Sequence, residues 1–275
     1  MSNKTTTSTS SDEQVVEKIR QKLSGVNEAE DKGVVYAKSQ KVGSLDWKNP
    51  EEVQDYLENL YVEYSFQCLN EKIPEGCHRL ANFFENIRSQ YTEATKLYKK
   101  NCDDNKYGKS CLTYAKNKSL GRGCKKDLQE ACTYSFLACD EYKLTEGCLN
   151  SGICLSEGVG GSVVNVKEAT RYLNLACDDK NPYACLKLFK IYLEGAGNVE
   201  KNLPKAFEYT KRACDGNDLL GCLNASLMLR KGDGIEKNIK LAEEYRAKAD
   251  EIRKETESHR EHYPIVFGEQ HQHHK

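Results

Sequence analysis

The fold of this chain is decided by the stretch EATRYLNLAC at residues 168–177, which a second cysteine, Cys185, follows after a gap of seven residues. Related stretches occur four more times, and the aligned alanines are spaced 37, 38, 37 and 36 residues apart. A fixed period of this length indicates an array of helical repeats, each of which buries its apolar face against its neighbours. The aligned alanines are Ala94, Ala131, Ala169, Ala206 and Ala242.

Two further positions recur with the alanine. The position three residues later carries a leucine or a tyrosine, and we interpret this column as packing between repeats. The position eight residues later carries a cysteine in every copy but the last. The two columns are Leu97, Tyr134, Tyr172, Tyr209 and Tyr245, and Cys102, Cys139, Cys177, Cys214 and Asp250.

Charge and hydropathy exclude two classes of partner. Charged residues make up 30% of the chain, but the formal net charge is only −1. Nucleic-acid binding needs a clustered basic surface, so we expect no nucleic-acid partner. The chain also has no apolar run long enough for a transmembrane helix, so we expect no membrane span.

Cysteine is the most unusual residue type, with 13 in 275 residues. Ten of them form five pairs separated by seven or eight residues, and this regular spacing predicts disulfides in an oxidising compartment. Zinc is the competing interpretation, but zinc knuckles place two cysteines within one tight turn, and this chain has no such motif. The predicted pairs are Cys68–Cys77, Cys102–Cys111, Cys139–Cys148, Cys177–Cys185 and Cys214–Cys222.

Each repeat is predicted to hold an A helix, which starts near the second cysteine of a pair, and a B helix, which ends near the first cysteine of the next pair. Asn49-Pro50 predicts the start of an opening helix with Asn49 as its cap. A short turn between a B helix and the next A helix would bring the paired cysteines to disulfide distance. Glycine turns, which supply positive φ, join A to B in four copies, beginning at Gly121, Gly158, Gly195 and Gly232.

The predicted fold class is therefore all-α, an α-solenoid of about five helix-pair repeats over residues 49–257 with disulfides between repeats. Residues 1–48 are predicted to form a disordered N-terminal extension. Residues 258–275 are predicted to form a disordered tail that contains five of the six histidines.

The compartment is predicted by elimination. Residues 1–47 contain no apolar segment of the kind that a secretory signal peptide needs. Disulfides without a signal peptide favour the mitochondrial intermembrane space, where imported chains are oxidised. A reduced protein in the cytosol is the interpretation that this argument leaves open.

Three cysteines fall outside the five pairs, and we expect them to be free thiols: Cys124, Cys132 and Cys154. Cys124 lies beside Arg122, Lys125 and Lys126, whose charges favour a thiolate. Cys132 and Cys154 lie within predicted helices, where a cysteine behaves as a small apolar side chain. These three residues support an alternative function, a thiol–disulfide oxidoreductase or a haem-handling protein.

The period, the Gly-x-Gly turn and the Lys-Ala start of a B helix at Lys205-Ala206 resemble Sel1-like repeats. The cysteines paired across repeat junctions resemble two narrower groups. One contains secreted bacterial cysteine-rich proteins often labelled β-lactamases, and the other contains Sel1-repeat assembly factors for cytochrome c oxidase in the animal mitochondrial intermembrane space. The chain is more similar to the second group, through residues 51–60, 219–226 and 264–268, and the resemblance spans roughly residues 50–268.

This resemblance implies a non-catalytic assembly factor for respiratory complex IV, which binds client proteins and is imported by the oxidative machinery of the intermembrane space. It implies no fixed cofactor, although members of the group have been proposed to handle haem. His78 and Met228 are the haem-ligating residue types within the array. Because they lie four copies apart in sequence, we expect no joint ligation, and we expect His78 to pack or to face solvent.

No enzyme activity is expected. A serine β-lactamase needs Ser-x-x-Lys, which places the lysine one helical turn after the nucleophile. No serine of this chain has a lysine three residues later, and no Lys-Thr-Gly follows. The bacterial label therefore gives no support for hydrolysis of β-lactams.

Overall fold

The computed structural model describes Asp46 and residues 48–262, so the predictions for residues 1–45 and 263–275 lie outside the described residues. The described part is all-α, as predicted. It has eleven α-helices and one 3-10 helix, at Val159–Gly161. The helices are α1 (Pro50–Leu69), α2 (Pro74–Asn86), α3 (Tyr91–Asp103), α4 (Gly108–Leu120), α5 (Leu128–Asp140), α6 (Thr145–Glu157), α7 (Val166–Asp178), α8 (Pro182–Glu194), α9 (Leu203–Asp215), α10 (Leu219–Lys231) and α11 (Ile239–His262).

The helices follow the predicted alternation. After α1, the even-numbered helices α2 to α10 are A helices, and the odd-numbered helices α3 to α11 are B helices. Each helix from α2 to α10 has 13 residues, which corresponds to a length of about 20 Å. The last helix ends at His262, beyond the predicted end of the array at residue 257. None of the described helices has the length and the apolar character that a membrane span needs.

Side-chain caps define several helix starts. Asn49 accepts hydrogen bonds from the backbone N–H groups of Glu51 and Glu52, as the Asn49-Pro50 pattern predicts. The B helices α7, α9 and α11 are capped in the same way by asparagines that lie four residues before the aligned alanine. Such a cap contributes about 1 kcal/mol by satisfying an N–H group that has no partner within the helix. These caps are Asn165, Asn202 and Asn238.

The helices pack into two compact units, with the boundary between Asp127 and Leu128. In the first unit, α1, α2 and α3 each pack against the next helix along the chain. In the second unit, α5 to α11 pack in the same consecutive manner, and α8 also lies beside α10. The boundary separates α4 from α5, although the sequence pattern assigns both helices to one repeat.

At three of the five turns that lead into an A helix, the residue before the second cysteine is glycine for a steric reason. A Cβ added at Gly221 would lie 2.6 Å from Cβ of Ala213, on the preceding B helix. Gly147 approaches Ala138 in the same way, and Gly76 approaches Gln67. The start of the A helix can therefore lie directly against the end of the B helix, which is the geometry that a disulfide at this point needs.

At the opposite end of the helices, the second glycine of each A-to-B turn lies against the start of the preceding B helix. A Cβ on Gly123 would clash with the backbone at Tyr91, and one on Gly234 would clash with Leu203. Both glycines have positive φ, 66° and 73°. Consecutive repeats within a unit are therefore in close contact at both ends of their helices, through a disulfide at one end and a glycine at the other.

Candidate functional sites: disulfides, a thiol and the A-helix surface

The structure joins the five cysteine pairs that the spacing predicts. Their Cα–Cα distances lie between 4.4 and 4.9 Å, and all ten side chains are buried. Each pair connects the last turn of one helix with the first turn of the next. The disulfides are Cys68–Cys77, Cys102–Cys111, Cys139–Cys148, Cys177–Cys185 and Cys214–Cys222.

A sixth disulfide corrects the prediction that Cys132 and Cys154 are free thiols. The structure joins these two residues, with a Cα–Cα distance of 6.1 Å. The reason is the antiparallel pairing of α5 and α6. Cys132 lies seven residues before Cys139 and Cys154 lies six residues after Cys148, so each is about two helical turns from the junction disulfide. Both side chains therefore reach the same level at the far end of the helix pair, which two disulfides hold together.

This pairing predicts a definite thiol count. When the native protein is alkylated under denaturing, non-reducing conditions, we expect one label, on Cys124, and 13 labels after full reduction, read from the intact mass. Three labels before reduction would contradict the Cys132–Cys154 disulfide. Thirteen labels would contradict all six disulfides.

Cys124 is the cysteine that lies outside the six disulfides. It is half-buried in the turn between α4 and α5, and its Sγ lies 3.6 Å from the carbonyl oxygen of Asn117. The neighbouring Arg122 guanidinium pairs with the buried carboxylate of Glu85 at 3.0 Å. Arg122 is therefore directed to Glu85, and the exposed Lys125 and Lys126 are the remaining basic neighbours in sequence.

The two haem-ligating residue types lie on different helices, His78 on α2 and Met228 on α10. His78 is half-buried against the rings of Tyr98 and Tyr107, and its Nδ1 lies 3.0 Å from Oγ of Ser110. Met228 packs in the interior with 4% of its surface exposed. Among the described residues, no group of three or more His, Cys, Asp or Glu side chains has an arrangement that could hold a metal ion.

Burial lowers the pKa of His78 from its ordinary value of 6.5, and nearby Lys109 lowers it further, while Glu75 and Glu85 act in the opposite direction. We therefore expect the His78 ring to titrate below pH 6.5 in an NMR titration. Because the folded state favours the neutral ring, the contribution of His78 to stability is complete above about pH 6.5 and is lost as the pH falls. The His78→Gln variant should lose this part of the pH dependence. A midpoint at or above 6.5 would contradict the packing around His78.

The tyrosine column links consecutive B helices of the second unit. The hydroxyl of Tyr172 donates to Oδ2 of Asp140 at 2.9 Å, and that of Tyr209 donates to Oδ1 of Asn174 at 2.7 Å. Burial raises the pKa of Tyr172, and the carboxylate of Asp140 raises it further. These tyrosines have a packing role, as the repeat pattern predicts.

A second recurrent feature is the A-helix surface. In each A helix we define it by four positions counted from the second cysteine of the pair: the residue two positions before that cysteine, and the residues two, five and nine positions after it. These positions follow one another at intervals of three or four residues, so they share one face of the helix. The members in every A helix are exposed or half-buried. In α4 this surface includes Lys109 and Lys116, and in α10 the equivalent residues are Leu220 and Leu227.

Four stretches of the chain match the Sel1 repeat family, at residues 111–141, 145–181, 182–218 and 219–249. The chain is similar to cytochrome c oxidase assembly factor 7 of Xenopus tropicalis, with 36% identity over 231 residues, which cover 82% of this chain and 99% of that protein. The similarity to cytochrome c oxidase assembly factor 7 of Homo sapiens is 33% over 231 residues, with the same coverage.

Solved structures with the same fold include a Sel1 repeat protein from Oxalobacter formigenes, at a TM-score of 0.63 and 18% identity, covering 74% of this chain and 85% of that one. A protective antigen of uropathogenic Escherichia coli strains, described as having an SLR fold, gives a TM-score of 0.66 at 18% identity and covers 88% of this chain and 49% of that one. At these identities the similarity shows the fold alone. The predicted Sel1-type α-solenoid is thereby confirmed.

Proposed function

Because this chain belongs to the Sel1-repeat family of cytochrome c oxidase assembly factor 7, we propose that it acts as a non-catalytic assembly factor for cytochrome c oxidase, the respiratory complex IV. The observation that carries this proposal is the near-complete coverage of the named relatives, 99% of the Xenopus tropicalis protein at 36% identity. An alignment over nearly the whole length of the relative supports a shared role.

The disulfides support a location in the mitochondrial intermembrane space. Twelve cysteines in six disulfides suit an oxidising compartment and are unusual in a reducing one. In this proposal the oxidative import machinery of that compartment forms the six bonds, and the folded repeats then stay where they were oxidised.

The A-helix surface supports binding of client proteins rather than chemistry. It is repeated, solvent-facing and held on helices that disulfides fix at their ends, so it offers a rigid platform. The alternative role as a thiol–disulfide oxidoreductase loses two of its three supporting residues, because Cys132 and Cys154 are joined to each other.

The test is complementation of human cells that lack their own cytochrome c oxidase assembly factor 7. We expect this chain to restore cytochrome c oxidase activity and the amount of assembled complex on native gels. The Cys124→Ser variant should restore both equally well, because the proposed function does not use its thiol. Failure of the wild-type chain to rescue, although it is present with its six disulfides in the intermembrane space, would contradict the proposed function. Rescue by the wild type but not by Cys124→Ser would favour the redox role.

A further inference from the structure

We propose that the A-helix surface of α8 and α10 docks an acidic amphipathic helix of a partner protein. This inference rests on the proposed scaffold function and specifies the chemistry of the client segment. We call this region the α8–α10 face and define it by three apolar residues and the basic residues beside them. Its members are Tyr183, Lys190, Leu220, Leu227, Arg230 and Lys231.

The apolar residues of the α8–α10 face form one stripe. Leu220 and Leu227 are 58% and 48% exposed and lie seven residues apart, which places them on the same side of α10. Tyr183 is 52% exposed and occupies the position in α8 that Leu220 occupies in α10. Because α8 and α10 lie side by side, and packed helices are about 8–10 Å apart, the three side chains border a common strip of surface.

The repeat architecture does not require apolar residues at these positions. The equivalents of Leu220 and Leu227 are Lys109 and Lys116 in α4, and Glu75 and Asn82 in α2. The A helices therefore form with charged or polar side chains at these positions, which are exposed in α4 and half-buried in α2. Neighbouring exposed apolar side chains that folding does not need are typical of an interaction site.

The basic residues beside the apolar stripe indicate the charge of the partner segment. Lys190 lies in α8 at the position equivalent to Leu227, and Arg230 and Lys231 follow Leu227 by one helical turn. All three are exposed, and Glu194 is the one acidic residue of the A-helix surface in these two helices. An amphipathic helix places apolar anchors along one side, and acidic residues beside those anchors would meet the basic residues of this face. The α8–α10 face therefore suits a helical partner segment with leucine-type anchors and flanking glutamates or aspartates.

The test uses two synthetic amphipathic peptides with the same helical leucine pattern, one flanked by glutamates and the other by lysines. Binding to the oxidised full chain is measured by fluorescence anisotropy. We expect the glutamate peptide to bind at least tenfold more tightly than the lysine peptide. The combined Leu220→Gln and Leu227→Gln variant should bind the glutamate peptide at least tenfold more weakly than the wild type. The combined Lys190→Gln and Lys231→Gln variant should bind the glutamate peptide more weakly than the wild type, and its affinity should depend less on salt concentration.

The matched control is Leu175→Gln, which removes an exposed leucine from the B helix α7, where 40% of the side chain is accessible. It should bind the glutamate peptide as the wild type does. Unchanged thermal unfolding of all variants shows that the comparison concerns the surface and not the fold. Three results would each overturn the inference. The first is equal binding of the two peptides, and the second is a loss of affinity in the Leu175→Gln control as large as in the Leu220→Gln and Leu227→Gln variant. The third is binding to anionic lipid vesicles instead of the peptide.

The result of the peptide-binding test can be distinguished from the result of the complementation test. If the wild type rescues cytochrome c oxidase but does not bind the glutamate peptide, the inference fails and the assembly role stands. If the glutamate peptide binds at the α8–α10 face but the wild type does not rescue, the assembly role fails and the docking chemistry stands.

Discussion

Reduction of all six disulfides is expected to abolish cooperative thermal unfolding of this protein near neutral pH. Five of the bonds close loops of eight or nine residues, and the chain-entropy relation assigns about 2.5 kcal/mol to each. The two cysteines of Cys132–Cys154 are 22 residues apart in sequence. The Cys139–Cys148 disulfide lies between them and shortens the loop, so this bond contributes about 3 kcal/mol. Together these contributions reach the size of the whole stability of a typical domain, about 5–15 kcal/mol.

The measurement is circular dichroism during heating, with and without a strong reductant, on protein alkylated after reduction to prevent reoxidation. Removal of one junction disulfide, by Cys177→Ser together with Cys185→Ser, should lower the free energy of unfolding by about 2.5 kcal/mol and preserve the transition. Cys124→Ser is the matched control and should leave the transition nearly unchanged. A reduced protein that unfolds as cooperatively as the oxidised one would show that helix packing alone holds the repeats.

The second large effect is expected for Gly123→Ala, which should lower the free energy of unfolding of the first unit by about 3 kcal/mol or more. The added Cβ would lie well under 3.0 Å from the carbonyl group of Tyr91 and from the backbone nitrogen of Thr92. These atoms belong to the first turn of α3 and cannot move without disturbing that helix. The positive φ of 66° at Gly123 adds strain of about 1 kcal/mol for any residue with a Cβ.

Gly161→Ala separates these two causes. Gly161 has a φ of 77°, but a Cβ there would meet no atom within 4 Å. We therefore expect a loss of only about 1 kcal/mol from this variant, due to the backbone strain alone. Denaturant unfolding of the oxidised proteins, with the midpoint and the slope both fitted, measures the difference. Equal losses for the two variants would mean that the close contact at Tyr91 does not matter for stability.

Local sequence signals were sufficient to predict the interactions that are short-range or that repeat at a fixed interval. The Asn49 cap and the glycine turns at Gly121 and Gly232 follow from neighbouring residues, and the structure contains them. The five junction disulfides follow because a short turn between antiparallel helices brings the paired cysteines to disulfide distance. The asparagine caps at Asn165, Asn202 and Asn238 also recur in the sequence, and their fixed distance from the aligned alanine could have revealed them.

At the junction turns, the residue with a left-handed backbone is not the type that local propensity predicts. At every junction the residue five positions before the second cysteine has a φ between 52° and 62°. Glycine or asparagine is the usual choice for this conformation, yet four of the five residues are lysines. The packing of the two helix ends and the disulfide beside them hold the turn in this form. The residues are Lys72, Lys106, Lys143, Lys180 and Asn217.

The sequence by itself determined the all-α class, the helix-pair period and the junction disulfides, because each depends on residues that are close along the chain or repeat at a fixed interval. The tertiary structure decided the pairing of Cys132 with Cys154, because that bond depends on which sides of α5 and α6 face each other two turns from their junction. It also showed that Leu220 and Leu227 remain exposed on α10, which lies beside α8. A periodic pattern specifies which helices pair, while the rotation of each helix in the packed array decides which side chains are buried, bonded or left for a partner.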